Sequence, residues 1–213
     1  MATKRIPETT VKRLFIYLRE VTELSEFNIR TVSSSELGER TNLSDAQVRK
    51  DLGYFGQFGV SGSGYNVLEL KKALERIVGK DKRWKVALVG VGHLGEALLS
   101  YSGFTEQGLD IVSAFDVSED LVGASVKGVK VESFAKLREA VKENGIPMAI
   151  IAVPAGEAQK AADVLVDSGI KCILNFAPVN LDVPGKIKVN NVDLSRELEI
   201  LAYFLASGNG GWR

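Results

Sequence analysis

Gly90-Val91-Gly92-His93-Leu94-Gly95 directly follows the apolar run VALV and precedes a helical pattern. A glycine loop of this spacing between a strand and a helix cradles a diphosphate. The first glycine allows the tight turn, the second lets the pyrophosphate reach the backbone, and the third lets the helix pack against the strand. The first-turn N–H groups of the helix are then free for the anion. Asp116 lies 21 residues beyond Gly95, at the end of a second apolar run, LDIVSAFD. A carboxylate there hydrogen-bonds the adenosine ribose hydroxyls and repels a 2′-phosphate, which predicts NADH and NAD+ as ligands over their phosphorylated counterparts. The nicotinamide is expected beside two strand ends, Val153-Pro154-Ala155 and Asn175-Phe176-Ala177-Pro178. An apolar pocket there favours the neutral, reduced ring.

Hydride transfer to a substrate needs a positioned general acid or base. The only histidine is His93, inside the phosphate loop, and no His/Cys/acid cluster suggests a metal site. These residues weigh against catalysis without excluding it, since Lys or Tyr can serve as acid. An NAD-dependent dehydrogenase, or a regulatory protein binding coenzyme A or another nucleotide, stays open as an alternative.

A second constellation lies upstream, in SSSELGERTNLSDAQVRKDLGYFG, residues 33–56. Ser35 is expected to cap a short helix, with Gly38, Thr41 and Asn42 forming its tail and a turn. Ser44 is expected to cap a second helix, in which Val48 and Leu52 face inward. This is the order of a helix-turn-helix, whose second helix enters the DNA major groove. Gln47 and Lys50 are then placed to read base edges, and Arg49 to serve phosphates or the core. A three-helix bundle used for protein contacts has the same pattern.

The elements that position these residues fall into two groups. An amphipathic stripe (Val11, Leu14, Phe15, Leu18, Val21, Leu24) predicts a first helix from Pro7 to about Glu26. The segment GQFGVSGSGYNV fits a tight β-hairpin, or wing, and VLELKKALERIVG a closing helix. Gly79–Lys85 is read as a linker. Short apolar runs then alternate with helical patterns at 134–143 and 156–168, predicting a mostly parallel sheet covered on both faces. The fold class is thus α/β: an N-terminal winged-helix domain (1–80), then a Rossmann-like domain (85–194). Residues 195–213 form a terminal helix and tail. The helix Ser195–Leu205 is almost continuously apolar (Leu198, Ile200, Leu201, Tyr203, Phe204, Leu205), which suits burial in a partner protomer or in its own core.

The formal charge of zero conceals an asymmetry. Residues 1–85 hold 16 Lys and Arg against 11 Asp and Glu, and the remainder hold the reverse, so +5 faces −5. Local positive charge is what releases counterions from a phosphate backbone. No apolar run long enough to span a membrane is present, and no signal peptide is expected. A single cysteine, Cys172, forms no internal disulfide, in keeping with a cytoplasmic protein.

Taken together, the VRKDL block, the wing ending in GYNV, VALVGVGHLGEAL, AVPAGEAQKAADVLVDSGIKCILNFAPV and VNNVDLSREL resemble the Rex family of redox-sensing repressors, in order and over essentially the whole chain. The resemblance implies a homodimer bound to a palindromic double-stranded DNA operator when NADH is scarce, and released when NADH binds. It implies that Gly90, Gly92, Gly95 and Asp116 bind the nucleotide, that 17–56 is the helix-turn-helix region, and that Gln47, Arg49 and Lys50 lie on its recognition helix. It further implies that Arg19, Tyr101 and Asp193 couple ligand state to head position, and that the terminal helix is exchanged between protomers. The family's wing commonly carries an Arg before its glycines, able to enter the minor groove. Gly59-Val60-Ser61-Gly62 has none, so Ser61 and Gly62 are expected to contact DNA more weakly or with a shifted A·T preference.

Overall fold

Helix α1 (Glu8–Glu26) buries Leu14, Tyr17, Leu18, Val21 and Leu24. Val11 and Phe15, expected on the inner stripe, are exposed, and Tyr17 takes the inner place instead. Spacing alone admitted two adjacent stripes here, and the tighter one became core. The structure, a computed structural model, describes residues 6–60 and 64–207. It divides into two units, Met1–Lys82 and Arg83–Arg213.

In the first unit, α2 (Ser34–Thr41) and α3 (Asp45–Leu52) follow a two-residue strand β1 (Thr31–Val32). The cap of α2 is Ser33 and not Ser35. Ser33 Oγ accepts from Glu36 N at 3.1 Å and the Glu36 carboxylate accepts from Ser33 N at 2.7 Å. This reciprocal box needs an acid at the third helical position, which only Ser33 has. Asn42 closes α2 in the left-handed conformation, φ 55°. Ser44 caps α3, accepting from Gln47 N at 3.1 Å. Strands β2 (Gly59–Val60) and β3 (Gly64–Asn66) pair antiparallel, and β1 adds to β3 to give the order β1-β3-β2. Helix α4 (Val67–Ile77), capped by Asn66, buries Val67, Leu70 and Leu74. These join Leu37, Val48, Leu52 and the inner stripe of α1 in one core.

The second unit opens with β4 (Trp84–Val89), α5 (His93–Leu99), α6 (Ser102–Glu106) and β5 (Leu109–Asp116). A short hairpin, β6 (Ser125–Val126) and β7 (Val129–Ser133), leads through a 3₁₀ turn into α7 (Leu137–Asn144). Then come β8 (Met148–Ile151), α8 (Ala155–Asp167), β9 (Cys172–Asn175), β10 (Lys188–Asn191) and α9 (Leu194–Ala206). The sheet order is β10-β9-β8-β4-β5-β7-β6, parallel throughout except for the β6–β7 pair. Strand order therefore reverses between β4 and β8, the switch point where open α/β sheets bind ligands.

Ala87, Val89, Phe115 and Ile151 pack under α7 and α8 on one face. Val86, Leu88, Ala114 and Ile150 pack with Leu98, Leu99 and Phe104 on the other. Cover on that second face is incomplete, contrary to expectation. No helix separates β9 from β10, and a groove of about 220 Å³ stays open beside Phe104, Met148 and Leu174.

Candidate functional site

The three glycines of the loop differ in what confines them. Gly90 has φ +93°, and a Cβ there would lie 2.6 Å from Ala152 O. Gly95, in the first turn of α5, would place a Cβ 2.1 Å from Gly90 O, so the helix seats on the loop only because that atom is missing. Gly92 has nothing within 4 Å of an added Cβ. Its bare backbone faces open space, where an incoming diphosphate has room. His93 and Leu94 are exposed and Val91 is buried. The first intrahelical bond runs from Glu96 N to Gly92 O, so the N–H groups before it have no partner in the helix.

Asp116 ends β5 and ties the loop to it. Its Oδ2 accepts from Val91 N at 2.7 Å and its Oδ1 from Ser118 N at 2.9 Å. An ionised carboxylate has about four acceptor sites, so roughly two are left for ribose hydroxyls. A cleft of about 330 Å³ opens here, lined by Gly90, Gly92, Asp116, Phe134, Val153 and Pro154. Val117 and Leu121 add apolar wall, and Glu157 and Lys160 of α8, which the sequence did not single out, add charge at its edge. A dinucleotide fits this set of groups: bare backbone for phosphates, acceptors for a ribose, apolar walls for a planar ring.

Asn175 and Phe176 do not join that lining. Asn175 is fully buried, and its Nδ2 donates to Ala177 O (3.1 Å), Val179 O (2.9 Å) and Asn191 Oδ1 (3.0 Å). Its oxygen accepts from Ala177 N at 3.0 Å, so the buried side chain folds the loop after β9. Phe176 packs into the core on the α5 face.

The three coupling candidates are all at or near the surface. Arg19 is exposed and meets Glu20 at 3.4 Å, and Arg40 approaches the same carboxylate at 3.7 Å. Tyr101 is 60% exposed and stacks edge-on against Phe104. Asp193 caps α9, accepting from Arg196 N at 3.1 Å.

On the first unit, α3 is organised around a residue the sequence reading missed. Asp51 is fully buried. Its oxygens accept from Thr10 Oγ1 (3.0 Å), Arg13 Nη2 (2.8 Å), Arg13 Nε and the Tyr17 hydroxyl (2.9 Å). Burial pushes the Asp51 carboxyl up, but the hydrogen bonds from Arg13, Tyr17 and Thr10 outweigh it and hold the group below its ordinary value. The same contact works the other way on its partners. Burial, then Asp51, raises the Tyr17 hydroxyl, and the hydrogen bond to Asp51 raises the Arg13 guanidinium. Gln47 also turns inward, donating to Asp51 Oδ1 at 2.9 Å.

Arg49 is no core residue. It is exposed and held by Asp45 (2.6 Å) and Ser34 Oγ (2.9 Å), and that hydrogen bond lowers the Asp45 carboxyl. Lys50 is exposed beside it. A groove of about 620 Å³ runs between α3 and the hairpin, lined by Ser34, Arg49, Gly53, Gln57, Phe58 and Tyr65. Ser61 and Gly62 lie outside the described residues.

Residues 5–53 match the family described as putative DNA-binding protein N-terminus, and residues 81–179 the CoA binding domain. The redox-sensing transcriptional repressor Rex of Syntrophomonas wolfei is 45% identical over 98% of this chain and 100% of its own length. That of Desulfitobacterium hafniense is 45% identical over 95% and 97%. Among solved structures, RSP in complex with β-NAD+ and operator DNA superimposes with a TM-score of 0.91 at 35% identity, covering 96% of this chain and 94% of that one. RSP in complex with β-NADH gives 0.83 at 34% identity, covering 96% of each. The chain belongs to the Rex family of redox-sensing transcriptional repressors.

Proposed function

We propose that the protein is a DNA-binding repressor that reads the NADH/NAD+ ratio, holding a palindromic operator when NADH is low and leaving it when NADH binds. One observation carries this. The near full-length likeness to a Rex-family repressor solved with operator DNA and with NADH falls on a chain that keeps Gly90, Gly92 and Asp116 around one cleft, with Gly95 seating α5 on the loop. Residues 1–80 are the reading head, with the helix-turn-helix at 17–56, and 85–194 are the nucleotide domain. Ser44, Gln47, Arg49 and Lys50, with Ser61 and Gly62 of the wing, face the DNA. The loop residues 90–95, Asp116, Val153 and Pro154 face the nucleotide.

The protein acts as a regulator in the cytoplasm and turns over no substrate. Its one histidine, His93, is exposed at the first position of α5, directly after the glycine loop. No described helix is long and apolar enough to cross a membrane. Coenzyme A carries a phosphate on its ribose, which the Asp116 carboxylate would repel, so the cleft suits NAD(H) better.

The functional unit is a homodimer joined through α9 and residues 195–213. No residue of α9 is buried, and Leu194, Leu198, Leu201 and Leu205 lie open along one side of it. Such a contiguous apolar face in water is stabilised by a second copy. Two heads bind one palindrome only if they span half-sites about 34–36 Å apart or a multiple of it. Rotation of the protomers on NADH binding, relayed through Arg19, Tyr101 and Asp193, breaks that match.

Fluorescence anisotropy of a labelled palindromic operator at fixed salt tests the reading. NADH should release the DNA and NAD+ should not. Couplings of this kind are typically ~1–3 kcal/mol and reciprocal, so operator should weaken NADH binding by the same factor, ~5–150-fold. Equal NADH affinity with and without operator rules the reading out.

Asp116→Ala removes both the ribose acceptor and the anchor of Val91. A hydrogen bond to a charged group contributes about 1.5–3 kcal/mol, so NADH affinity should fall at least about tenfold and the preference over NADPH should shrink. Titration by the fluorescence of the reduced nicotinamide measures both, and unchanged discrimination would remove Asp116 from the site.

A further inference from the structure

Gln47 and Asp51 stand one turn apart on α3, and the Gln47 amide nitrogen donates to Asp51 Oδ1 at 2.9 Å. That carboxylate is fully buried and already takes hydrogen bonds from Thr10, Arg13 and Tyr17, all on α1. An ionised carboxylate only accepts, so only the NH2 end of Gln47 can face it. Turning the amide round would set its oxygen against a buried negative charge. The backbone of Gln47 is fixed too, since its N–H donates to the Ser44 cap. No described residue donates to Gln47 Oε1. The half-buried side chain therefore has one end committed and one end free, and the free end is an acceptor.

In the major groove the complement of an acceptor is an exocyclic amine, N6 of adenine or N4 of cytosine. We propose that Asp51 fixes the Gln47 amide so that Gln47 reads the operator through its oxygen, accepting from an adenine N6 or cytosine N4 amine at one position of each half-site. Asp51 is then a positioning residue and Gln47 a specificity-determining one. The inference rests on the reading that α3 enters the major groove.

Selection from a randomised operator pool with the full-length protein locates the position at which Gln47→Ala flattens the base preference. The base there is then replaced by its amine-less analogue (purine for adenine, 2-pyrimidinone for cytosine), and Kd is measured by anisotropy. Loss of the amine should weaken the wild type about 5- to 150-fold, the range of a good base contact, and should leave Gln47→Ala unaffected. Gln47→Glu has no NH2 to donate and sets a second negative charge against the buried Asp51 carboxylate, so its side chain is no longer held and it should lose most of the dependence too. Asp51→Asn, whose own amide can present either end, lets Gln47 turn and should lose most of the dependence.

Wild type that is indifferent to amine removal overturns the proposal, and a Gln47→Glu that keeps the full dependence removes the positioning by Asp51. A Gln47→Ala that flattens no position also overturns the proposal. A folded Asp51→Asn that keeps the full dependence removes the positioning role. If Asp51→Asn does not fold, the two Gln47 variants decide the matter alone. A wild type that selects no sequence overturns the reading of α3 itself, and this inference with it.

Discussion

Replacing Asp51 by alanine will loosen the whole N-terminal unit, because one carboxylate satisfies Thr10, both nitrogens of an Arg13 fork, Tyr17 and Gln47 together. Removing one partner of a buried ion pair typically costs about 3–5 kcal/mol. Arg13 keeps some access to water, its side chain being 22% exposed, so the lower end, about 3 kcal/mol, is the expected loss. Hydrogen exchange of the α1 and α3 amides reads it directly, and NADH binding by the second unit serves as the folded control.

The effect has a pH signature. The folded Asp51 carboxyl lies below its ordinary value of about 3.9, so its stabilisation is complete above that value, where the unfolded chain is also ionised. It is lost as pH falls through the lower, folded value. The stability difference between wild type and Asp51→Asn should stay flat from pH 8 to about pH 5 and shrink in more acid solution. A difference that keeps its size into acid, or a loss below about 1 kcal/mol for Asp51→Ala, would mean that the apolar core alone holds α1 to α3. In the proposed repressor, operator affinity should fall together with that protection, since α3 is then no longer held in register on α1.

The sequence carried those features whose signals are local. The glycine loop, Asp116 and the Ser44 cap each declare themselves within a few residues, because a tight turn, a strand end and a helix start each demand a particular residue type on the spot. The cap of α2 is local too, but three adjacent serines compete for it. Ser33-Ser34-Ser35-Glu36 contains the box pattern only when counted from Ser33. What could not be read locally was pairing over distance. Asp51 sits three residues after Val48 on the inner face of α3, a place where polarity is unexpected, and its partners on α1 lie 34–41 residues upstream. Strand β1 has two residues, too few for any alternation to show. Asn175 ends a strand at the carboxyl edge, where a ligand contact is expected. Its partner Asn191 lies on the neighbouring strand, a pairing visible only once β10 is placed beside β9.

Alanine at Gly92 and alanine at Gly95 should behave as opposites, although the two glycines belong to one motif. At Gly95 the new Cβ would lie 2.1 Å from Gly90 O, a backbone atom that cannot step aside without moving α5 off the loop. Such overpacking costs typically about 1–3 kcal/mol and more where backbone must shift, so the upper end is expected in the second unit's stability. At Gly92 an added Cβ meets no protein atom within 4 Å, and stability should stay within about 0.5 kcal/mol of wild type. That open space is where a dinucleotide diphosphate would approach the backbone, so NADH affinity should fall about tenfold or more, which is about 1.4 kcal/mol. In the proposed repressor the consequence is specific: Gly92→Ala remains folded, binds operator, and is no longer released by NADH concentrations that free the wild type. Thermal unfolding separates the two variants, and operator anisotropy with and without NADH tests the function. A Gly92→Ala protein that binds NADH as the wild type does would place the diphosphate elsewhere in the cleft. A Gly95→Ala protein of unchanged stability would mean that α5 does not seat on the loop as described.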